Sequence, residues 1–147
     1  MKKKYAERKD RDQIELGTEL APKFDEHGLI PCVTVDNRSG DVLMFAWMNE
    51  EALTLTLDSG TATYYSRSRE KIWVKGETSG RHQKVQKMLV DCDQDVIQLR
   101  VDVEGDGTCH RGYRTCFYRA VSGDDSTRLF FVEDRPVFDP EDVYGNH

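Results

Sequence analysis

The run 97-IQLRVDV-103 constrains the fold more than any other stretch of this chain. Ile97, Leu99, Val101 and Val103 alternate with Gln98, Arg100 and Asp102. Successive side chains of a strand point to opposite faces, so the run predicts a strand with one buried and one wetted face. The run 84-KVQKMLVD-91 precedes it, and 91-DCDQD-95 lies between them. The pair reads as a β-hairpin, 84–91 and 95–104, with its acidic residues at the turn. A lone hairpin is marginal in water, so the rest of the chain must cover its apolar face.

The cover is legible. Residues 28-GLIPCVTVDNRSGDVLMFAWM-48 hold two apolar runs around an Asp-Asn-Arg-Ser-Gly turn, which predicts a hairpin whose second strand is buried on both faces. A helix follows at 49–60. Asn49 caps it, Glu50 and Glu51 suit the positive end of its dipole, Ala52, Leu53, Leu55 and Leu57 form its apolar side, and Gly60 stops it. Strands are predicted at 61–69 and 71–76, and a last pair at 115–122 and 128–134. The reading is one α+β domain over 23–135, dominated by antiparallel hairpins with one main helix near 49–59. Residues 1–22 read as a charged, flexible tail, and 136–147 as an acidic tail that frays.

With 147 residues the chain suits one domain, and six Phe, six Tyr and two Trp supply a core. A net charge of −6 argues against non-specific nucleic-acid binding. No apolar run approaches the ~20 residues of a membrane span, and the basic start lacks the apolar segment of a secretory signal. The expected location is the cytoplasm, with no membrane or nucleic-acid partner. Four cysteines are too few for a disulfide scaffold, and in a reducing compartment clustered cysteines point to metal binding or catalysis.

Cys109 and Cys116 frame 109-CHRGYRTC-116, and Cys92 makes a third soft ligand. Zinc takes such ligands tetrahedrally; three without an obvious fourth favour an open position for water, whereas His110 or His82 would close a structural site. Unmetallated, partly buried thiols are the plainer alternative. Asp91, Asp93 and Asp95 lack the Gly and bidentate Glu of an EF-hand. In an extended strand they would share one face with Cys92 on the other, and a dication would relieve their repulsion. A solvated acidic turn is the simpler reading. The segment 64-YYSRSREKIWVKGETSGRHQK-84 combines Arg67, Arg69, Lys71, Lys75, Arg81 and Lys84 with hydroxyl donors and two glycines. Arg and close-approaching backbone suit phosphate, and Tyr65 or Trp73 suits an aromatic ring, unless the segment is only a solvated strand pair.

These segments occur in one order: VLMFAWMNEEAL (42–53), YYSRSREKIWVKGETSG with Gln83, DCDQD (91–95) and CHRGYRTCFYR (109–119). Over about residues 28–121 the chain resembles the phosphoribosyl-AMP cyclohydrolases of histidine biosynthesis. The resemblance implies hydrolytic opening of the adenine ring of 1-(5-phosphoribosyl)-AMP at the N1–C6 bond, giving ProFAR, the third step of the pathway. It implies an intertwined, cytoplasmic homodimer needing zinc and magnesium. Zinc would fall to Cys92, Cys109 and Cys116, shared between subunits with Cys92 from one chain and the other two from its partner; magnesium would fall to Asp91, Asp93 and Asp95. Nucleotide contacts would come from Ser66, Arg67, Ser68, Trp73, Lys75, Gly76, Glu77, Ser79, Gly80 and Gln83. His82 inherits no role, and with no second, pyrophosphohydrolase-like domain following, the monofunctional form is expected. His110, beside a proposed ligand, suits general acid/base work or a hydrogen bond that orients a ligand. The competing class is a non-catalytic zinc-binding module. A zinc deaminase would need H-x-E and P-C-x-x-C, which this chain lacks.

Overall fold

The computed structural model describes residues 5–105, 107–133 and 135–144. Its elements are α1 (Arg11–Leu16), β1 (Leu29–Asp36), β2 (Val42–Asn49), α2 (Glu50–Ser59), β3 (Thr63–Ser66), β4 (Lys71–Val74), β5 (Gln83–Val90), β6 (Ile97–Val103), β7 (Arg119–Val121), β8 (Leu129–Phe131) and α3 (Pro140–Tyr144). Six strands form one sheet in the order β4-β3-β2-β1-β6-β5, and β7 and β8 pair separately. The expected α+β domain of hairpins is present, with β2 and β3 paired across α2 and one parallel pairing. β1 and β6 run parallel, Cys32 opposite Ile97 and Asp36 opposite Val101. The sheet curls until its ends meet: Thr61 bridges Lys84, and Ala62 N donates to Gln83 O at 2.9 Å.

The alternating run behaves as its pattern requires. Ile97, Leu99 and Val101 point into the core with Ile30, Leu43, Met48 and Leu53. Each fully buried aliphatic side chain contributes about 1.5–3 kcal/mol. The second strand of the first hairpin departs from expectation in part: Leu43, Met44 and Met48 are buried, but Val42 and Phe45 are exposed. The helix starts and stops as predicted, with Asn49 Oδ1 accepting from Ala52 N at 2.8 Å and Gly60 left-handed at φ 75. Its buried face differs. Thr54 and Thr56 turn inward with Ala52 and Leu53, leaving Leu55 and Leu57 exposed. Thr56 Oγ1 donates to Ala52 O (2.9 Å) and accepts from Thr63 N (3.0 Å), so its burial leaves no polar atom unpaired.

The described parts of both terminal segments make contacts with the rest of the chain; residues 1–4 and 145–147 lie outside the described residues. Residues 5–21 fold back on the domain: Tyr5 OH bonds Thr54 Oγ1 (2.8 Å), Arg8 donates to Ala21 O (2.6 Å), and Ala21 is fully buried. Hydrogen bonds hold much of this segment and its apolar anchors are few, Tyr5 and Ala21 among them, which is why its composition read as a loose tail. Beyond 135, Val137 N donates to Gly112 O (2.8 Å), and the Arg81 guanidinium lies 4.1 Å from the Phe138 ring centroid. No helix among the described residues is long and apolar enough to cross a membrane.

A polar chain crosses the core. Thr34 Oγ1 bonds Tyr64 OH (2.7 Å), Tyr64 OH donates to Gln83 Oε1 (2.6 Å), and Gln83 Nε2 donates to Met44 Sδ (3.3 Å). Tyr64→Phe strands a buried oxygen on Gln83 and is expected to cost about 1–3 kcal/mol, read as a lower urea midpoint at unchanged slope. An unchanged midpoint would show that the phenol contributes nothing.

Candidate functional site

Beyond β6 the chain turns tightly. Cys109 N donates to Tyr113 O (3.0 Å) and Gly112 N to Cys109 O (2.8 Å). Gly112 is left-handed at φ 91, and a Cβ there would strike Phe138 O and Pro136. The return is pinned to the start of β2: Thr115 Oγ1 donates to Val42 O (2.8 Å) and Cys116 N to Leu43 O (2.8 Å). The loop thereby brings the Cys109 and Cys116 side chains within hydrogen-bonding reach of each other. Cys109 is buried. Cys116 has an exposed rim, yet burial, reinforced by the adjacent Cys109, pushes its thiol up to about 12; the Lys75 ammonium works against this.

Lys75, just past β4, ties this loop to the donor-rich segment 64–84. Its Nζ donates to Thr108 O and stands 6.0 Å from the Trp73 ring centroid. Burial holds its pKa below the usual lysine range, with Cys116 and Cys109 opposing.

These groups border a cleft of about 650 Å³, in the usual range for small-molecule sites. β2 contributes Met44 and Phe45, the segment after β3 contributes Arg69, and Trp73 to Ser79 form one wall. Thr108, His110 and Cys116 form another. Trp73 also borders a second pocket of about 510 Å³ with Ala46, Trp47, Tyr65, Ser66, Arg67 and Ser68, where the Arg67 guanidinium lies 4.9 Å from the Trp47 ring centroid. The expected nucleotide contacts thus divide. Trp73, Lys75, Gly76, Glu77 and Ser79 line the larger cleft; Ser66, Arg67, Ser68 and Trp73 line the smaller. Gly80 closes the intervening turn by donating to Gly76 O (2.7 Å). Gln83 lies in the core with its side chain committed to Tyr64 and Met44, so it presents no donor to either pocket. Phe45 and Thr108 lack any sequence signal; neither falls in a donor-rich run, and only the meeting of β2, β4 and the cysteine loop puts them in the wall.

Cys92 is elsewhere. It precedes β6 while Cys109 follows it, and a seven-residue strand spans roughly 20 Å. Cys116 is anchored at the Leu43 end of β2, whereas the turn holding Cys92 lies beside the start of β1. One chain therefore does not assemble the three cysteines. Asp91, Asp93 and Asp95 do converge, with one carboxylate oxygen from each lying within 4.8 Å of the others. The reason is not strand alternation, because residues 91–96 form a turn rather than a strand. Asp91 Oδ1 accepts from Asp95 N (2.9 Å) and Val96 N (3.1 Å). Hydrogen bonding to Asp91 and Asp93, with their like charge, pushes the Asp95 carboxyl up to about 6. For Asp91, partial burial is outweighed by hydrogen bonds from Asp95 and Val96, and its pKa falls below the usual carboxylate range.

A family model described as phosphoribosyl-AMP cyclohydrolase matches residues 44–118. Curated proteins bearing that name are similar over nearly the whole chain. One from Rhodopseudomonas palustris (strain TIE-1) is 52% identical over 136 residues, covering 91% of this chain and 90% of its own. One from Agrobacterium fabrum is 51% identical over 141 residues, 93% of each. One from the archaeon Methanococcoides burtonii is 55% identical over 122 residues, 83% of this chain and 94% of its own.

Proposed function

Because this chain belongs to the phosphoribosyl-AMP cyclohydrolase family, we propose that it hydrolyses the adenine ring of 1-(5-phosphoribosyl)-AMP in histidine biosynthesis. Water adds at C6, the N1–C6 bond breaks, C6 becomes the carboxamide and N1 leaves protonated as the formimino nitrogen of ProFAR. The observation that carries this reading is the cleft uniting Arg69, Trp73 and Lys75 with His110 and with Cys116, whose thiol neighbours the buried Cys109.

The residues divide the work. Trp73 offers a face for the base, while Lys75 and Arg69 supply charge for a phosphate. The pocket with Arg67, Ser66 and Ser68 offers a second anion site on the far side of Trp73, matching a substrate with two phosphates. His110 is exposed at the cleft wall, and its role in this reading would be to accept a proton from attacking water and return it to N1.

The paired thiols suit zinc, and Cys92 of a second chain would complete the set. Bound zinc supplies a Lewis acid that makes water more acidic near neutrality. A homodimer is supported by the distance of Cys92 from the other cysteines and by exposed Phe117, Leu129, Phe130 and Phe131, all three residues of β8 being open to solvent. The converged carboxylates suit magnesium, a hard cation that would relieve the repulsion that raises Asp95. Free thiols at all four cysteines agree with a cytoplasmic setting.

The test is to incubate the zinc- and magnesium-loaded protein with phosphoribosyl-AMP and follow the ultraviolet change of ring opening. No change with wild type would overturn the reading; unchanged kcat across neutral pH for His110→Ala would remove the proton-transfer role. The carboxylates add a pH dependence. Asp95 keeps its proton in the folded chain between about 4 and about 6, so its contribution to stability is present at low pH and lost as pH rises through about 6. A cation competes for that proton. Magnesium affinity is therefore expected to rise up to about tenfold per unit as pH climbs towards 6 and to level off above it. A titration showing no slope below 6 would contradict this.

A further inference from the structure

Gln94 differs from every neighbour in the acidic turn. Its backbone is left-handed at φ 57, a region that non-glycine residues seldom enter. It is 4% exposed, while Asp91 and Cys92 beside it are exposed. Its side chain is committed to a segment 73 to 80 positions earlier. Oε1 accepts from Ala21 N (2.8 Å), and Nε2 donates to Ile14 O (2.9 Å) and Glu19 O (3.2 Å). Its carbonyl accepts from Lys23 N (2.8 Å), and its own N–H donates to Asp91 O (3.1 Å). The N-terminal segment is thus a strap fastened to the acidic turn through one residue, and that residue sits between Asp93 and Asp95.

We propose that Gln94 is the positioning residue of the cation site at Asp91, Asp93 and Asp95. This rests on the magnesium reading above. A left-handed residue reverses the chain locally, and the reversal at Gln94 brings the carboxylates of its two neighbours towards that of Asp91. Three like charges push such a turn open. The bonds to residues 14–23 hold it shut before any cation arrives, so binding does not also have to order the turn. Between the strap and the turn lies a cavity of about 370 Å³ onto which Asp91 and Cys92 open, so the strap braces the turn without filling the space beside it.

The experiment titrates the full-length protein with Mn²⁺ at neutral pH, reading free ion by electron paramagnetic resonance. The variants are Gln94→Asn, which tolerates the left-handed backbone but falls short of the strap, and Gln94→Glu, which keeps the length but loses the Nε2 donors. Both are expected to bind Mn²⁺ about 10-fold more weakly or worse. Gln94→Glu is decisive in sign: its added negative charge would tighten binding if only electrostatics mattered. Wild-type affinity in both variants, or tighter binding by Gln94→Glu, overturns the proposal while leaving the cation site standing. Failure of wild type to bind Mn²⁺ at a site removed by Asp93→Asn overturns the magnesium reading and this proposal with it. A second measurement needs no variant. Binding and strap are linked, so saturating Mg²⁺ is expected to slow hydrogen exchange at the Ala21 amide; no slowing also overturns the proposal.

Discussion

Cys109→Ser is expected to lower kcat/KM by at least about 10³-fold and to release zinc from the purified protein. Cys109 is buried against Cys116, so the serine hydroxyl would sit beside a lone thiol that burial keeps protonated. The sharper result concerns a pair of inactive variants. Cys92 lies at the opposite end of β6 from Cys109 and Cys116. If one site draws on two chains, Cys92→Ser and Cys109→Ser are each inactive alone. A heterodimer of the two holds one site with all three cysteines intact. Random pairing of equal amounts then restores about a quarter of the wild-type sites. Metal content and turnover of the co-expressed mixture check this. Recovery confined to the level of the separate variants would exclude a shared site, and one zinc per chain with near-normal turnover in Cys109→Ser would exclude the zinc assignment itself.

Gly76→Ala is expected to lower kcat/KM roughly 10²-fold, the effect of displacing a positioning segment by about 1 Å. Gly76 has φ +96, and a Cβ there would lie 2.5 Å from Arg81 C and His82 N. Those are backbone atoms, so no side chain can swing aside; residues 81–82 must move as a unit. That movement strains the turn closed by Gly80 N to Gly76 O (2.7 Å), and Lys75, Glu77 and Ser79 on this stretch line the cleft. Gly123→Ala is the control: nothing lies within 4 Å of its added Cβ, and turnover within about twofold of wild type is expected. Equal activity in both variants would show that the 76–82 turn does not shape the site.

Several readings were available from local pattern because their causes are local. The strand 97–103, the cap at Asn49 and the stop at Gly60 each depend on residues within a turn or two of one another. The donor-rich stretch 64–84 stood out by composition, and its Tyr65, Arg67, Arg69, Trp73 and Lys75 line two pockets that share Trp73. Convergence of Asp91, Asp93 and Asp95 was expected for a reason that does not hold. Strand alternation predicts a shared face; a left-handed kink at Gln94 within a turn produces the convergence instead. Thr54 and Thr56 replaced Leu55 and Leu57 on the buried helix face because Tyr5 and Thr63 supply hydrogen bonds that local sequence does not reveal.

By itself, the sequence determined the main helix and most strand segments, where thiols, carboxylates and cationic donors cluster along the chain, and the family these motifs resemble. All of these follow from side-chain chemistry and short-range periodicity. Only the tertiary structure decided that β1 and β6 run parallel, that Gln83 belongs to the core and that the described parts of both terminal segments pack on the domain. Those outcomes depend on pairings between residues tens of positions apart. Their energy comes from burial and hydrogen bonds that exist only once the sheet has curled on itself, and no local window of sequence contains both partners.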